Sequence, residues 1–123
     1  MPKLTKRRVS EAQNLEDSYR LADIVKQRQK TLAALKLKTG ELVLDIGCGV
    51  GFLTHEMALQ VGKSGKVIGL DKNSEMIKHA RKRCESLQQT VFYKGDASKL
   101  PVDDQILDAV SCTQVLLYVK DVP

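Results

Sequence analysis

A strand-like run that ends in glycines gives the clearest chemical signal in this chain. Residues 42–51 read LVLDIGCGVG, an apolar β-prone segment interrupted by Asp45 and followed by glycines at alternate positions, Gly47, Gly49 and Gly51. Glycine lacks a Cβ and accepts positive φ, so a strand, a glycine turn and a helix can bring backbone close to a ligand. A carboxylate beside that turn suits a cationic ligand and sits badly beside a pyrophosphate. The run therefore predicts a turn that brings backbone close to a ligand.

Two further aspartates end later strand-like runs. Asp71 closes the run KVIGLD, where a carboxylate can accept hydrogen bonds from both hydroxyls of a ribose. Asp96 follows the third such run. Each has a structural alternative, since Asp71 also suits a helix start and Asp96 also suits a plain turn. Three carboxylates at three strand ends nevertheless predict one ligand-binding edge of a parallel sheet.

Helices and strands alternate along the chain to position these residues. From Glu11 to about Leu37, apolar residues recur at threes and fours, which predicts a helix. The expected inner face of that helix consists of Leu21, Ile24, Val25, Arg28, Leu32 and Leu35. Strands are predicted at Glu41–Ile46, Lys66–Asp71, Thr90–Lys94 and Ile106 to about Val115, and helices at about Phe52–Val61 and after a cap at Asn73 or Ser74. This order predicts an α/β fold, a Rossmann-like parallel sheet with flanking helices.

Composition limits the class of protein. A chain of 123 residues with 42% hydrophobic and 28% charged residues is ordinary for one small globular domain. No apolar run approaches the roughly 20 residues of a membrane helix, so no membrane partner is predicted. Three widely spaced cysteines without a C-x-x-C pair predict reduced thiols and a cytoplasmic location. The basic residues near the start favour a solvated, mobile tail at 1–10 over a nucleic-acid contact.

Other patterns that could carry chemistry are weaker. His55-Glu56 begins a zinc-protease pattern, but Leu59 stands where its second histidine would be, so no metal site is predicted. A basic face after residue 74 suits either a phosphate-binding patch or a solvated helix surface with an Arg81–Glu85 pair. The solvated surface is the simpler interpretation.

The motif D-x-G-x-G-x-G after a strand resembles the first motif of Rossmann-like, class I methyltransferases that use S-adenosylmethionine (SAM). The dinucleotide fingerprint G-x-G-x-x-G fits less well, because its third glycine would fall on Phe52. The resemblance extends from about Tyr19 to the last residue and is closest to the type 11 group, which includes ubiquinone- and menaquinone-biosynthesis-like enzymes. The runs that carry it are GELVLDIGCG, GLDKNSEM, GDASKLP and LDAVSCTQVLLYV.

This resemblance implies SAM as the cofactor and a small molecule as the methyl acceptor. In such enzymes an acid like Asp96 receives the adenine amino group, and the next backbone N–H meets the ring. Thr113 and Gln114 would line the methionine end, while Tyr19 either packs within its helix or closes over the cofactor. No catalytic base is identified. The implied cofactor-binding residues are Asp45, Ile46, Gly47, Cys48, Gly49, Gly51, Asp71, Lys72, Asp96, Ala97 and Thr113.

The resemblance also implies an incomplete domain. The family's sheet has seven strands, whereas four are predicted here, so residues 11–123 are expected to form the cofactor half of a methyltransferase that is inactive by itself. The fourth strand is apolar on both faces, and an unpaired edge on it would favour self-association. Two hypotheses stay open: an enzyme, or the front half of one, and a non-catalytic remnant that binds SAM or packs against a partner.

Overall fold

The computed structural model describes residues 22–96, 98 and 107–112, and the backbone of 117–120. Its contacts divide the chain into two compact units, Met1–Lys30 and Thr31–Pro123. The described part of the first unit is helical and largely exposed; Ile24 is 48% and Val25 36% exposed. The prediction that these two side chains face a core is therefore wrong, because periodicity identifies an apolar stripe without identifying what covers it.

The second unit is built on a five-stranded sheet. Its strands are β1 (Leu42–Ile46), β2 (Lys66–Asp71), β3 (Thr90–Lys94), β4 (Ala109–Cys112) and β5 (Leu117–Lys120). Their order is β3-β2-β1-β4-β5, and the first four are parallel. The predicted Rossmann-like parallel sheet is thereby confirmed. At its carboxyl edge Ile46 lies beside Leu70 of β2 and Cys112 of β4.

The described residues contain three helices, namely α1 (22–35), α2 (Phe52–Val61) and α3 (Ser74–Arg83). The helix α3 begins at Asn73, whose side chain accepts the N–H groups of Glu75 and Met76, so Asn73 rather than Ser74 is the cap. No helix in the described part of the chain is long and apolar enough to cross a membrane.

The fourth strand differs from its prediction. Its described part begins at Ala109. The preceding residue, Asp108, forms two hydrogen bonds with Leu42: the Asp108 N–H donates to Leu42 O at 2.8 Å, and Asp108 Oδ2 accepts the Leu42 N–H at 2.7 Å. The expected unpaired edge of β4 is also wrong. β5 pairs antiparallel with it, from Ala109 opposite Lys120 to Cys112 opposite Leu117. An antiparallel neighbour can follow a short connection, whereas a parallel neighbour needs a crossover of a dozen or more residues.

The apolar core lies on both faces of the sheet. On one face α2 and the end of α1 pack over β1 and β2. That cluster consists of Leu35, Val43, Leu53, Met57, Ala58, Val61, Val67 and Ala109. On the other face Leu44, Ile68 and Leu107 form a smaller cluster. Leu35 is fully buried, as its helical spacing predicts.

A third packing cluster joins the glycine turn to α3 and β3. It contains Cys48, Ile77, Ala80, Cys84 and Phe92. Gly69 of β2 lies beneath it, and a Cβ there would stand 2.5 Å from the Phe92 ring and 3.2 Å from Cys48 Sγ. The Phe92 ring therefore occupies the space that a side chain at position 69 would need.

Candidate cofactor site

The turn between β1 and α2 adopts a conformation that favours glycine. Gly47, Gly49 and Gly51 have φ of 72°, 57° and 90°. A Cβ on Gly49 would meet nothing within 4 Å, whereas one on Gly51 would lie 3.0 Å from the Cα of Ala80. Gly51 is therefore required by the packing of α3, and Gly49 leaves open space in front of the turn.

Four of the five backbone donors of this turn bond within the protein. The N–H groups of Gly47 and Cys48 donate to Leu70 O at 2.7 and 3.0 Å. The N–H of Gly49 donates to Asp71 Oδ2 at 2.9 Å, and that of Gly51 to Cys48 O at 3.1 Å. A pyrophosphate site at such a turn needs backbone N–H groups that point at the ligand. These four are committed elsewhere, which argues against a dinucleotide.

Asp71 joins the two predicted motifs physically. Its Oδ2 holds the Gly49 N–H, and its Oδ1 accepts the N–H of Asn73 at 2.9 Å. A carboxylate oxygen has two lone pairs, so each oxygen retains the capacity to accept a further hydrogen bond. The alternative interpretation of Asp71 as a residue at the start of α3 is therefore supported, and its role as a ribose acceptor stays a prediction.

Asp45 lies beneath the turn and is fully buried. Its Oδ2 accepts the hydroxyl of Thr54 at 2.7 Å, and Oδ1 has no hydrogen-bond partner among the described residues. Burial raises the pKa of Asp45 to about 7; the Thr54 bond lowers it, and the charge of Asp71 raises it. A buried carboxylate oxygen without a partner is costly, so it favours the approach of a cation or a donor.

A cavity of about 310 Å³ opens at the carboxyl edge of the sheet. Its described lining consists of Ile46, Gly47, Asp71, Lys72, Gly95, Asp96, Ser98 and Cys112. The volume lies within the range of small-molecule sites, and the position is the one where parallel sheets bind ligands.

Asp96 forms the far side of this cavity. Its Oδ1 accepts both the backbone N–H of Ser98, at 2.9 Å, and the Ser98 hydroxyl. This Asx-type turn fixes the carboxylate, so the turn interpretation of Asp96 is correct while the side chain still lines the cavity. Its contact with an adenine amino group stays a prediction.

The structure brings five of the predicted cofactor residues together at the cavity: Ile46, Gly47, Asp71, Lys72 and Asp96. Four others belong to the turn or its support, outside the described cavity lining: Asp45, Cys48, Gly49 and Gly51. Ala97 and Thr113 lie outside the described residues, as do Tyr19 and Gln114.

Sequence reasoning missed three residues of the cavity lining, Gly95, Ser98 and Cys112. Ser98 had a usable signal, since a serine two residues after an aspartate commonly closes a turn. Cys112 was missed because the fourth strand was predicted to run to about Val115, which placed the sheet edge after Cys112. The position of Cys112 follows from its pairing with Ile46.

The three thiols are free and differ in environment. Cys48 and Cys84 are buried, and burial raises the pKa of each thiol. For Cys48 the charges of Asp45 and Asp71 raise the pKa further. Cys112 is half-buried at the cavity. Within the described ranges, no group of three histidine, cysteine or acidic side chains could hold a metal ion.

The charges of the site fit a ligand that combines a nucleoside with a cation. Asp71 and Asp96 offer acceptors inside the cavity, and the unpartnered oxygen of Asp45 lies behind the turn. The open space in front of Gly49 allows a close backbone approach. These features suit SAM, with its ribose, adenine and positively charged methionine end.

Comparison with known proteins agrees with this geometry. The methyltransferase-domain family matches residues 37–123 of the chain. Demethylmenaquinone methyltransferase from Lactobacillus johnsonii is 47% identical over 97 residues, which covers 76% of this chain and 40% of the relative. A SAM-dependent methyltransferase from Aquifex aeolicus superposes with a TM-score of 0.62 at 31% identity, covering 69% of this chain and 46% of that one.

A second solved structure was determined with a bound product of the cofactor. It is a SAM-dependent methyltransferase from Thiobacillus denitrificans in complex with S-adenosylhomocysteine, with a TM-score of 0.59 and 30% identity, and the match covers 71% of this chain and 35% of that one. The chain spans 26% to 43% of the length of six curated relatives that it matches.

Proposed function

The chain belongs to the methyltransferase-domain family of class I, SAM-dependent enzymes, and we propose that it binds SAM as part of an enzyme that methylates a small molecule. The proposed site is the cavity at the carboxyl edge of the sheet, next to the turn at 47–51. The proposed cofactor domain is 11–123, with 1–10 as a solvated tail. The region before residue 22 lies outside the described residues.

The observation that carries the proposal is the electrostatic character of the turn. Its four assigned N–H groups are bonded within the protein, and Asp45 and Asp71 lie beside it. A dinucleotide would bring two phosphate charges to this place, where four donors of the turn are already bonded within the protein and the Asp71 carboxylate repels. A sulfonium and an ammonium group would meet favourable charge at the same place.

Five residues of the cavity lining have a role in this proposal. Asp71 accepts the ribose hydroxyls while its bonds to Gly49 and Asn73 hold it in place. Asp96, fixed by Ser98, accepts the adenine amino group. Ile46 supplies an apolar wall at the end of β1, and Lys72 covers the site with its aliphatic stem. The backbone N–H of Ala97 and the side chain of Thr113 complete the proposed contacts.

SAM supplies a methyl group that its positive sulfur has already activated. The chain must therefore bind and orient the cofactor and exclude water from it, rather than create a nucleophile. The turn at 47–51 supplies the rigid support for this orientation, and Asp71 supplies compensating negative charge. A base is required only for an acceptor that arrives protonated.

The acceptor is proposed to be a small molecule, and two kinds of relative support this. One is the demethylmenaquinone methyltransferase described above, and the other is 2-phytyl-1,4-naphtoquinone methyltransferase of Thermosynechococcus vestitus, 33% identical over 96 residues. A cytoplasmic location is proposed from the three free thiols. Self-association is proposed only through β5. This strand, rather than β4 as expected, lies at the end of the described strand order.

The cofactor assignment is tested by titrating the protein with S-adenosylhomocysteine, SAM and NAD under one set of conditions. We expect both sulfur compounds to bind and NAD to bind at least roughly tenfold more weakly. Tighter binding of NAD would refute the proposal. Transfer of a labelled methyl group to candidate quinols would then separate an enzyme from a remnant that binds SAM without turnover.

A further inference from the structure

The last turn of α3 contacts the glycine turn through one arginine. Arg83 Nε donates to Val50 O at 3.0 Å, and the guanidinium carbon lies 3.7 Å from the centroid of the Phe52 ring. We propose that Arg83 is a positioning residue that fixes the glycine turn for cofactor binding without touching the cofactor. This inference rests on the proposed function, because the turn at 47–51 is the proposed cofactor support.

The contacted segment is the point where the turn becomes α2. Gly51 occupies the cap position of α2 with φ 90°, and no side chain forms a capping hydrogen bond there. A helix start without such a bond depends on its surroundings for its geometry. Arg83 holds the residue before Gly51 by its carbonyl and the residue after it by its ring. It therefore contacts the residues on both sides of Gly51.

The neighbouring contacts from α3 are apolar or weak. Ala80 packs against Gly51, and Cys84 Sγ lies 3.8 Å from Gly51 O. These contacts set how near the turn can approach α3, but a thiol is a weak donor and a methyl group has no directional preference. The Nε hydrogen bond of Arg83 and its contact with the Phe52 ring are directional, so they fix the orientation of the turn that the other contacts leave open.

The chemistry of this contact specifically requires arginine. The guanidinium is planar, so its edge can donate through Nε while its face lies on an aromatic ring. A lysine ammonium is a compact charge on a flexible stem and cannot combine both contacts in that way. Arg83 is absent from the described lining of the cavity, so any effect on the cofactor must pass through the turn.

Arg81 provides a matched control on the same helix. Its Nη2 donates to Phe92 O, also at 3.0 Å, but this carbonyl belongs to β3 rather than to the glycine turn. The two arginines thus each make one assigned hydrogen bond of equal length to a backbone carbonyl. A purely structural role for Arg83 predicts similar behaviour for Arg81→Gln and Arg83→Gln.

The test measures S-adenosylhomocysteine affinity, thermal stability without ligand, and amide hydrogen exchange of Gly49 and Gly51 in four proteins: the unaltered chain, Arg81→Gln, Arg83→Gln and Arg83→Lys. We expect Arg83→Gln to raise Kd roughly three- to tenfold, with Arg83→Lys in between. Exchange at Gly49 and Gly51 should accelerate in Arg83→Gln alone. The two glutamine variants should lose similar thermal stability.

Equal Kd values for Arg81→Gln and Arg83→Gln would overturn the inference, as would unchanged exchange at Gly49 and Gly51. An Arg83→Lys protein equal to the unaltered chain would show that charge, rather than the planar contact, is what matters, and would also overturn it. Failure of the unaltered chain to bind S-adenosylhomocysteine would instead refute the proposed function. The exchange data, taken without ligand, would still decide the role of Arg83.

Discussion

The carboxylate of Asp71 accepts the backbone N–H of Gly49, 22 residues earlier in the chain, at 2.9 Å. The end of the second strand is thereby bonded to the middle of the glycine turn before any ligand arrives. Preorganisation of this kind lowers the cost of ordering a site on binding. One side chain therefore both shapes the turn and faces the cavity.

Asp71→Ala should weaken the binding of S-adenosylhomocysteine by about 1–3 kcal/mol, because a charged acceptor is lost from the cavity. It should also lower the free energy of unfolding without ligand by about 1 kcal/mol, since the Gly49 and Asn73 N–H groups lose their acceptor. Calorimetric titration and denaturant unfolding measure the two effects. Asp71→Asn, which keeps one acceptor oxygen, is the matched control and should fall between. An alanine variant with unchanged affinity would remove Asp71 from the binding site.

Gly49→Ala and Gly51→Ala should separate binding from packing. Both residues have positive φ, so each substitution carries strain of about 1–2 kcal/mol. At Gly49 the new methyl group enters the open space in front of the turn and should mainly reduce cofactor affinity. At Gly51 it meets Ala80 at 3.0 Å and should cause the larger loss of stability. Thermal unfolding and ligand titration of the pair check this, and the reverse order would show that the turn is misplaced.

The buried carboxyl of Asp45 should make stability depend on pH. Its pKa is raised from 3.8 to about 7 by burial, so between these values the folded protein retains a proton that the unfolded chain has lost. The free energy of unfolding should therefore fall as pH rises from about 4 to about 7, and the contribution should level off above that. The total is on the order of 4 kcal/mol, from roughly three pKa units.

Asp45→Asn isolates this effect, because the amide has no proton to gain and its oxygen can still accept from Thr54. The difference between the two stability curves should show the slope, measured by urea unfolding at several pH values. Thr54→Val removes the bond that lowers the pKa of Asp45 and should extend the slope to higher pH. A difference curve that is flat between pH 4 and 7 would contradict the prediction.

Thiol labelling should report occupancy of the cavity. Cys112 lines the cavity, whereas Cys48 and Cys84 are buried and burial raises their thiol pKa. Iodoacetamide should label Cys112 roughly tenfold faster than the other two, since the thiolate is the reactive form. S-adenosylhomocysteine should protect Cys112, as peptide mass spectrometry would reveal. Labelling of Cys112 at the same rate with and without ligand would place the ligand elsewhere.

The parallel part of the fold was predictable because strong local signals agreed there. β2, β3 and α2 have the bounds read from the sequence, and β1 begins one residue later than predicted, since each combines an apolar run with a glycine or polar stop. The end of the sheet was less predictable. Whether the chain continues a strand or reverses after Cys112 depends on pairing partners rather than on local preference.

The sequence predicted which residues form the candidate site, but it predicted only part of the contacts between them. The spacing of Asp45, Gly49 and Asp71 identified the sheet edge correctly. The burial of Asp45 and its bond to Thr54 could not be read from spacing, because they depend on how α2 packs on β1. The hydrogen bond between Gly49 and Asp71 also depends on how β1 and β2 are aligned along their length. This alignment is set by the register of the two strands.

Gly69 gives the sheet a notch that the Phe92 ring fills, and the ring in turn lies near Cys48 of the glycine turn. A side chain at Gly69 would displace the ring, and the displacement would reach the turn. In a scan of every substitution selected for cofactor binding, Gly69 should therefore score like a binding residue although it is absent from the described cavity lining. A map of tolerated substitutions would therefore include residues that hold the site in place as well as residues that contact the ligand. Only a parallel measurement of protein abundance would distinguish the two groups.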